Sequence, residues 1–591
     1  MTSTALDASQ RAAVEISPEE RQLVVAGPGS GKTEVVSALV ERLVDLDGAG
    51  DAGAVLVISF SNAAVHAVDA RLTSRGLGPV TVQTMDSLAT EVLRDLATDD
   101  YSGLDFDGRV VAASRCLAEQ GWDALDGLDH LVVDEIQDVV GVRADFLLAI
   151  IDALPDTVGF TLLGDPAQGI YDFQLRPPER GRAARSTTDL ASLLSAAEGR
   201  HGAIRRHLDG QYRASSREAK VAARLREAAL PGGDPGIIDT FYDDVAVADS
   251  LEAVADLVRK WSGTTAVLTA TNGQALLVAG ILRSLGLTVE VRRGAEQRVL
   301  APWIAQLFGD ATTDTVSRGV FEQLVADRRP DIDVATTWRS LRGAVGGRGS
   351  ELDLPRLATR LRTRRPLPPE LLVAPTGTVV VSTVHRAKGL EFDNVVLVDF
   401  PERTRDADPA GETERLRARF VALTRARTRL VRAVGPDDRA LRVFSRRGLH
   451  QNRWFLAGRQ SWMTFAYEVG IGDVEPGPEG LDEAGPRPAL ETQLGGPVDL
   501  RLDPRASTLD VPVYNLLRHE AVIGRTSLRF GEDLALRIEP RDGRRGPWPT
   551  LGGAYVENVC TALVDPQPGG RSRHGLLLAP VVTGLLNINW K

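Results

Sequence analysis

Ala26-Gly27-Pro28-Gly29-Ser30-Gly31-Lys32-Thr33 decides how the rest of this 591-residue chain is read. The stretch fits the pattern GxxxxGK[ST]. Its flanks fit as well. The apolar run Leu23–Ala26 leads into it, and Val35, Val36, Leu39, Val40 and Leu43 then recur on one helical face. Gly27, Gly29, Ser30 and Gly31 let successive backbone N–H groups turn inward on a phosphate, and the N-terminus of the following helix adds positive potential. Lys32 is placed to reach the β- and γ-phosphates of ATP, and the Thr33 hydroxyl to hold Mg²⁺.

Further along, Leu131-Val132-Val133-Asp134-Glu135 is an apolar strand ending in two carboxylates. Beside a phosphate loop, such a strand end puts Asp134 on the metal and leaves Glu135 to orient or deprotonate the attacking water. Other short apolar runs, Val55–Ile58, Thr161–Leu163, Val379–Val381 and Val395–Val398, alternate with helical or charged stretches. That alternation reads as parallel strands buried between helices. It forms two blocks, 1–205 and 206–435. The first carries a small insertion at about 87–129 and the second a polar one at about 310–375. A helical or linker segment is expected at 436–497, rich in Pro, Gly and acid from Glu475 to Pro497. Runs such as Val498–Leu502, Pro512–Leu516 and Tyr555–Val559 make 498–591 a β-rich C-terminal region of unassigned role.

Composition sets the class. Apolar residues are 43% and charged residues 25%, ordinary for a water-soluble globular chain too long for one core. No apolar run approaches the roughly eighteen residues of a membrane span. Met1–Glu15 lacks the basic start and apolar core of a signal peptide. Two cysteines, Cys116 and Cys560, argue against a disulfide framework and fit a reducing cytoplasm. The eight histidines sit at no zinc-ligand spacing. Net charge is −11, mildly against a nucleic-acid partner, but a local basic groove decides that binding. Arginine clusters at Arg176–Arg185, Arg356–Arg365 and Arg415–Arg432, each by itself a solvated face.

Ile136-Gln137-Asp138 completes Asp-Glu-x-Gln-Asp, which resembles motif II of the UvrD-like branch of superfamily 1 helicases. Other segments follow in that family's order. Leu6–Ala12 looks like its Q motif, Ser59–Ala64 like motif Ia, Gly164–Phe173 like motif III and Gln211-Tyr212-Arg213 like motif IV. Thr383–Phe392 looks like motif V and Val421–Arg427 like motif VI. The resemblance covers roughly the first three-quarters of the chain.

The resemblance implies an α/β fold: two RecA-like P-loop motor domains, here with reduced accessory insertions, and the β-rich C-terminal region besides. It implies that Gln10 and Tyr212 hold the adenine, Glu391 meets the ribose, and Gln168 senses the γ-phosphate. Arg213 and Arg425 would reach that phosphate from the second domain as arginine fingers, so that hydrolysis depends on domain closure. It places Phe60, Asn62, Tyr171 and Phe173 against single-stranded DNA, with Thr383 and His385 on its backbone. Phe173 stands where the family usually has tryptophan. Two departures weaken DNA coupling: Gln174-Leu175-Arg176 replaces Arg-Gly-Ala, and Thr84-Met85-Asp86-Ser87 replaces a histidine-containing segment. The expected activity is ATP-dependent movement 3′ to 5′ on single-stranded DNA, with RNA left open and no membrane involved. The alternative is a motor subunit of a repair or anti-foreign-DNA defence complex that drives a separate nuclease. No nuclease constellation stands out in the sequence.

Overall fold

The computed structural model describes residues 6–46, 54–60, 65, 68, 71, 72, 75, 80–101, 103–175, 186–292, 294, 297–346, 350–363, 367–373, 377–401, 409–459, 463–477, 495–518, 520–538, 548–565 and 572–590. The chain divides into two compact units. The first comprises Met1–Ala246, Ala387–Val395 and Arg403–Val431; the second comprises Val247–Arg386, Val396–Glu402 and Arg432–Lys591.

The first unit is built on β1 (Arg21–Ala26), β2 (Val55–Ser59), β3 (Thr81–Thr84), β4 (His130–Asp134), β5 (Gly159–Gly164) and β6 (Ile204–Leu208). They form one sheet in the order β3-β2-β4-β5-β1-β6, with every neighbouring pair parallel. β1, β2, β4 and β5 are runs of Val, Leu, Ile and Phe because helices cover both faces of a parallel sheet. Parallel pairing also puts the C-terminal ends of β1, β4 and β5 along one edge, where α/β sheets bind ligands. The insertion at 87–129 is helical. Met85–Leu96 and Phe106–Gln120, capped by Thr84 and Asp105, bury Leu88, Val92, Val110 and Leu117 in the core shared with Leu131, Val133 and Phe160.

The second unit holds β7 (Val247–Ala248), β8 (Thr265–Thr269), β9 (Val289–Val291) and β12 (Val379–Thr383), in a sheet ordered β7-β14-β13-β8-β12-β9. β13 (Phe392–Asp399) and β14 (Ala426–Val434) each have residues in both units. The polar insertion at 310–375 shares one core with Leu300, Trp303, Ile304, Leu307, Phe308 and Leu576. The antiparallel β10 (Thr315–Val316) and β11 (Leu352–Asp353) accompany helices Arg318–Arg328, Val334–Val345 and Leu354–Arg362. Phe321 lies 6.3 Å from Phe308 and 5.2 Å from Trp338, ring centre to ring centre.

The last part of the chain is antiparallel. β15 (Leu441–Phe444), β16 (Arg453–Ala457), β17 (Thr464–Val469), β18 (Val474–Pro476), β19 (Gly496–Leu502), β20 (Tyr514–Arg518), β21 (Ala521–Thr526), β22 (Thr550–Gly552), β23 (Ala554–Leu563), β24 (Leu576–Val582) and β25 (Gly584–Asn589) make two sheets, ordered β15-β16-β17-β25-β22 and β18-β21-β20-β19-β23-β24. Phe455, Tyr467, Leu500, Tyr514, Val556 and Leu586 share one core. Arg453 is buried there, and Asp473 (2.6 Å) and Asp533 (2.9 Å) offset the cost of desolvating its charge.

Two expectations need correction. The segment 436–497 is not helical where it is described: it supplies β15 to β18, because Phe455, Tyr467 and Val469 enter the β core at strand period rather than helix period. Residues 478–494 of the expected linker lie outside the described residues. The boundary at 205 falls inside β6, whose Arg205 and Arg206 pair with Leu23 and Val24 of β1, so the first unit runs on to Ala246.

Candidate nucleotide site

The phosphate loop leaves the end of β1. Gly29 (φ 75°) and Gly31 (φ 85°) adopt left-handed backbone, which side-chain-bearing residues resist. Space is short as well: a Cβ on Gly29 would lie 2.6 Å from Arg213 Cβ, and one on Gly31 would have to displace Gln10 Nε2, 2.5 Å away. Lys32 Nζ rests on the Ala26 carbonyl at 3.2 Å, folded back over the loop. Gln10 is buried, with Nε2 donating to Ser30 O (3.0 Å) and Oε1 accepting from Asp7 N (3.1 Å). Tyr212 donates its hydroxyl to Asp7, while its backbone N–H holds Gly29 O at 2.8 Å and its ring stays exposed. The structure therefore brings Gln10 and Tyr212 to Gly31 with an open aromatic face.

Asp134 ends β4, and Glu135 follows in a left-handed conformation (φ 57°, ψ 44°) rare for a residue with a side chain. Such strain persists only where the surroundings enforce it, and it collects at functional sites. Burial, then the charge of Glu135, pushes the Asp134 carboxyl up to about 7. Burial also opposes the charge of Glu135, but Lys32, Lys388 and Arg425 outweigh it and hold that carboxyl below its ordinary range. Asp134 is thus a buried carboxylate short of positive charge, and Thr33 presents an exposed hydroxyl on the first turn after the loop. Two hard oxygen donors, one of them a carboxyl whose charge burial and Glu135 oppose, fit Mg²⁺.

From Glu135 a chain of hydrogen bonds runs to Arg425. Gln137 Nε2 donates to Glu135, and Gln137 Oε1 accepts from Asp165 N (2.9 Å). Asp165 Oδ2 accepts from Gln168 Nε2 (2.8 Å), and Gln168 Oε1 accepts from Arg425 Nη2 (2.9 Å). Arg425 is wholly buried, with Nε on Val421 O (2.9 Å) and Nη1 on Leu390 O (3.3 Å). Burial, and then the like charge of Arg213, draws it down to about 9, still cationic at neutral pH. Arg213 Nη2 pairs with Glu391 at 2.6 Å, and its Nε is buried with no hydrogen-bond partner among the described residues. Both arginines were expected from a second domain. Arg213 lies in Met1–Ala246 and Arg425 in Arg403–Val431, stretches that cluster with the loop, while β14, which starts at Ala426, is a strand of the second sheet. Glu391, expected at a ribose, is also gripped by Arg427 (2.8 Å).

Of the expected DNA contacts, Phe60 and Tyr171 come together, with ring centroids 4.9 Å apart and Lys388 Nζ 5.5 Å from the Tyr171 ring centre. Asn62 and the Phe173 side chain lie outside the described residues, as do Arg176–Arg185. Thr383 and His385 belong to the second unit. Thr383 is buried and its hydroxyl accepts from Arg386 N (3.3 Å), whereas His385 is half-buried. Asp86, in the segment that departs from the family, is taken by Arg143 (2.8 Å), which also holds Asp107 (3.1 Å).

The sequence reading gave no role to Gln137, Asp138, Asp165 or Lys388, although each stands inside a quoted motif. Lys388 pairs with buried Asp138 and donates to Gln168 O (2.7 Å). A buried carboxylate one turn from a reactive one was the available signal. Arg226, which pairs with Asp165 at 2.7 Å, lies just after the helix Arg217–Arg224 and gave none.

Comparison with known proteins matches residues 10–174 to an AAA domain and residues 370–434 to a UvrD-like helicase C-terminal domain. Relatives include the proteins called ATP-dependent DNA helicase UvrD2 in Mycobacterium bovis and Mycobacterium tuberculosis, each 27% identical over 392 residues. Those matches cover 56% of this chain and 51% of each relative, so the chain spans about half the length of the curated relatives it matches. The first match begins at Gln10 and takes in the phosphate loop, both carboxylates and Gln168; the second takes in Lys388, Glu391 and Arg425, which the fold returns to the same unit. Over these two segments the chain is similar to the UvrD-like helicases.

Proposed function

We propose that this chain hydrolyses ATP to move along single-stranded DNA, 3′ to 5′, in the cytoplasm. The observation that carries the reading is the continuous hydrogen-bonded line Glu135–Gln137–Asp165–Gln168–Arg425 beside the phosphate loop. Lys32 and the loop amides bind the phosphates, while Gln10 and Tyr212 receive the base. Thr33 and Asp134 would hold Mg²⁺, whose charge offsets that of the phosphate oxygens. Glu135, kept ionised by three neighbouring cations, orients water and accepts its proton. Gln168 and Arg425, in direct contact, meet the γ-phosphate together, and Arg213 exchanges part of its Glu391 pairing for it. The Phe60–Tyr171 pair offers aromatic faces for bases, and polarity rests on the family alone.

A second reading is favoured by the two antiparallel sheets formed by residues 441–589, which lie beyond both family matches. In that reading they dock a protein partner such as a nuclease, and the motor acts within a repair or defence complex. ATPase rates measured side by side with no nucleic acid, single-stranded DNA, duplex DNA and RNA test the first reading. Stimulation by single-stranded DNA, lost in Lys32→Ala, supports it; a rate unaffected by any polymer contradicts it.

A further inference from the structure

Asp165 is the branch point of the line from Glu135 to Arg425. It is fully buried, gives its backbone N–H to Gln137 and takes Gln168 on Oδ2. Its Oδ1 also accepts from Ala167 N at 3.3 Å, and a cation beside it offsets the cost of burying its charge. That cation is Arg226, at the start of the 3₁₀ turn Glu227–Ala229 that follows helix Arg217–Arg224. Its Nε donates to Asp165 Oδ1 at 2.7 Å. Its Cδ lies 3.2 Å from where a Cβ on Gly27 would stand, so the guanidinium stem packs against the opening of the phosphate loop. Its Nη2 is buried with no hydrogen-bond partner among the described residues, an arrangement uncommon enough in folded proteins to need a reason. Nothing in the seven motif segments contains this residue.

We infer that Arg226 is a positioning residue for ATP hydrolysis: by fixing Asp165 against the loop, it sets where Gln168 and Arg425 meet the γ-phosphate. The inference rests on the proposed ATPase reading. The guanidinium acts on Asp165 while the stem rests on Gly27, so losing the charge loosens the groups that act on the transferring phosphoryl more than those that hold base and phosphates. Small displacements of such groups cost rate rather than affinity.

The test measures kcat and KM for ATP, at saturating single-stranded DNA, in wild type, Arg226→Ala, Asp165→Asn and the double variant. The expected result is a fall in kcat of about tenfold to a hundredfold in each single variant. KM should change by less than about threefold, and the double variant should be no slower than the worse single one. An unchanged kcat in Arg226→Ala, a rise in KM alone, or losses that multiply in the double variant would each overturn the inference. If Arg226→Ala does not fold, Arg226→Gln, which keeps the stem against Gly27, replaces it under the same criteria. A wild type without ATPase activity would refute the proposed function rather than this residue's part in it.

Discussion

Acid should open the first unit through one histidine. His130 begins β4, the strand that ends in Asp134, and it is fully buried. Nδ1 lies 2.7 Å from Pro18 O, which can only accept, so Nδ1 carries the proton. Nε2, 2.8 Å from Thr161 Oγ1, is left as acceptor of the hydroxyl, whose oxygen in turn takes Gln22 Nε2 at 3.0 Å. A second proton on the ring would be a charge in the core. Burial accordingly lowers the group to about 4, against smaller opposing effects from Pro18 and Glu20. Because the native value is depressed, the unfolded chain binds a proton between about 4 and 6.5 that the native state refuses. Stability from this site is complete above 6.5 and lost as pH falls toward 4. The full loss is about 3 kcal/mol, of which about 2 kcal/mol is reached at pH 5. Hydrogen exchange of the β4 amides at pH 7.5 and 5, in wild type and His130→Gln, isolates the effect because other titrating groups are common to both. Protection should drop more steeply with acid in wild type than in the variant. Equal slopes would mean that His130 is protonated in the fold and the buried neutral network is misread.

Other outcomes follow from the nucleotide site and the strand path. Arg425→Ala should cut ATP turnover by about a thousandfold, since it removes the cation that contacts Gln168; steady-state ATPase assays read this directly. Glu135→Gln should retain ATP binding in a titration while losing turnover, because Lys32 and the loop, not this carboxylate, hold the phosphates. Phe60→Ala should weaken single-strand binding by about 1–3 kcal/mol in a fluorescence titration at one fixed salt concentration, with intrinsic ATPase falling less than the DNA-stimulated rate. The purified chain should displace a protein block from single-stranded DNA yet separate a 3′-tailed duplex poorly. Arg143 occupies Asp86, and the insertion at 87–129 packs into the first unit's core.

Much of the site was legible because its chemistry is local. Gly29 and Gly31 announce left-handed backbone, and the Val-rich strands feeding Gly27 and Asp134 announce a parallel sheet by their continuous burial. What the sequence hid depends on long-range return of the chain. Arg213 and Arg425 stand far from Lys32 in the sequence, and only the return of the chain sets Arg425 on Gln168. Arg226 stands outside every motif segment, and only the fold sets it beside Asp165. The insertion at 310–375 read as polar because Phe321, Trp338 and Leu357 are spaced among arginines, and only three helices folding together bring those side chains into one core. At 453–469 the apolar residues are too few for periodicity to separate strand from helix; the buried Arg453, which looks like a surface residue, owes its place to Asp473 and Asp533, 20 and 80 positions on.

The central claim is directional, ATP-driven movement on one strand. It is tested most directly by stopped-flow translocation on single-stranded oligonucleotides of increasing length, labelled at either the 5′ or the 3′ end, with a trap that prevents rebinding. The account predicts that with 5′-labelled strands the signal arrives after a lag growing in proportion to length, that with 3′-labelled strands it shows no such lag, and that Lys32→Ala gives neither. Signals independent of length at both ends, in protein that hydrolyses ATP, would contradict it.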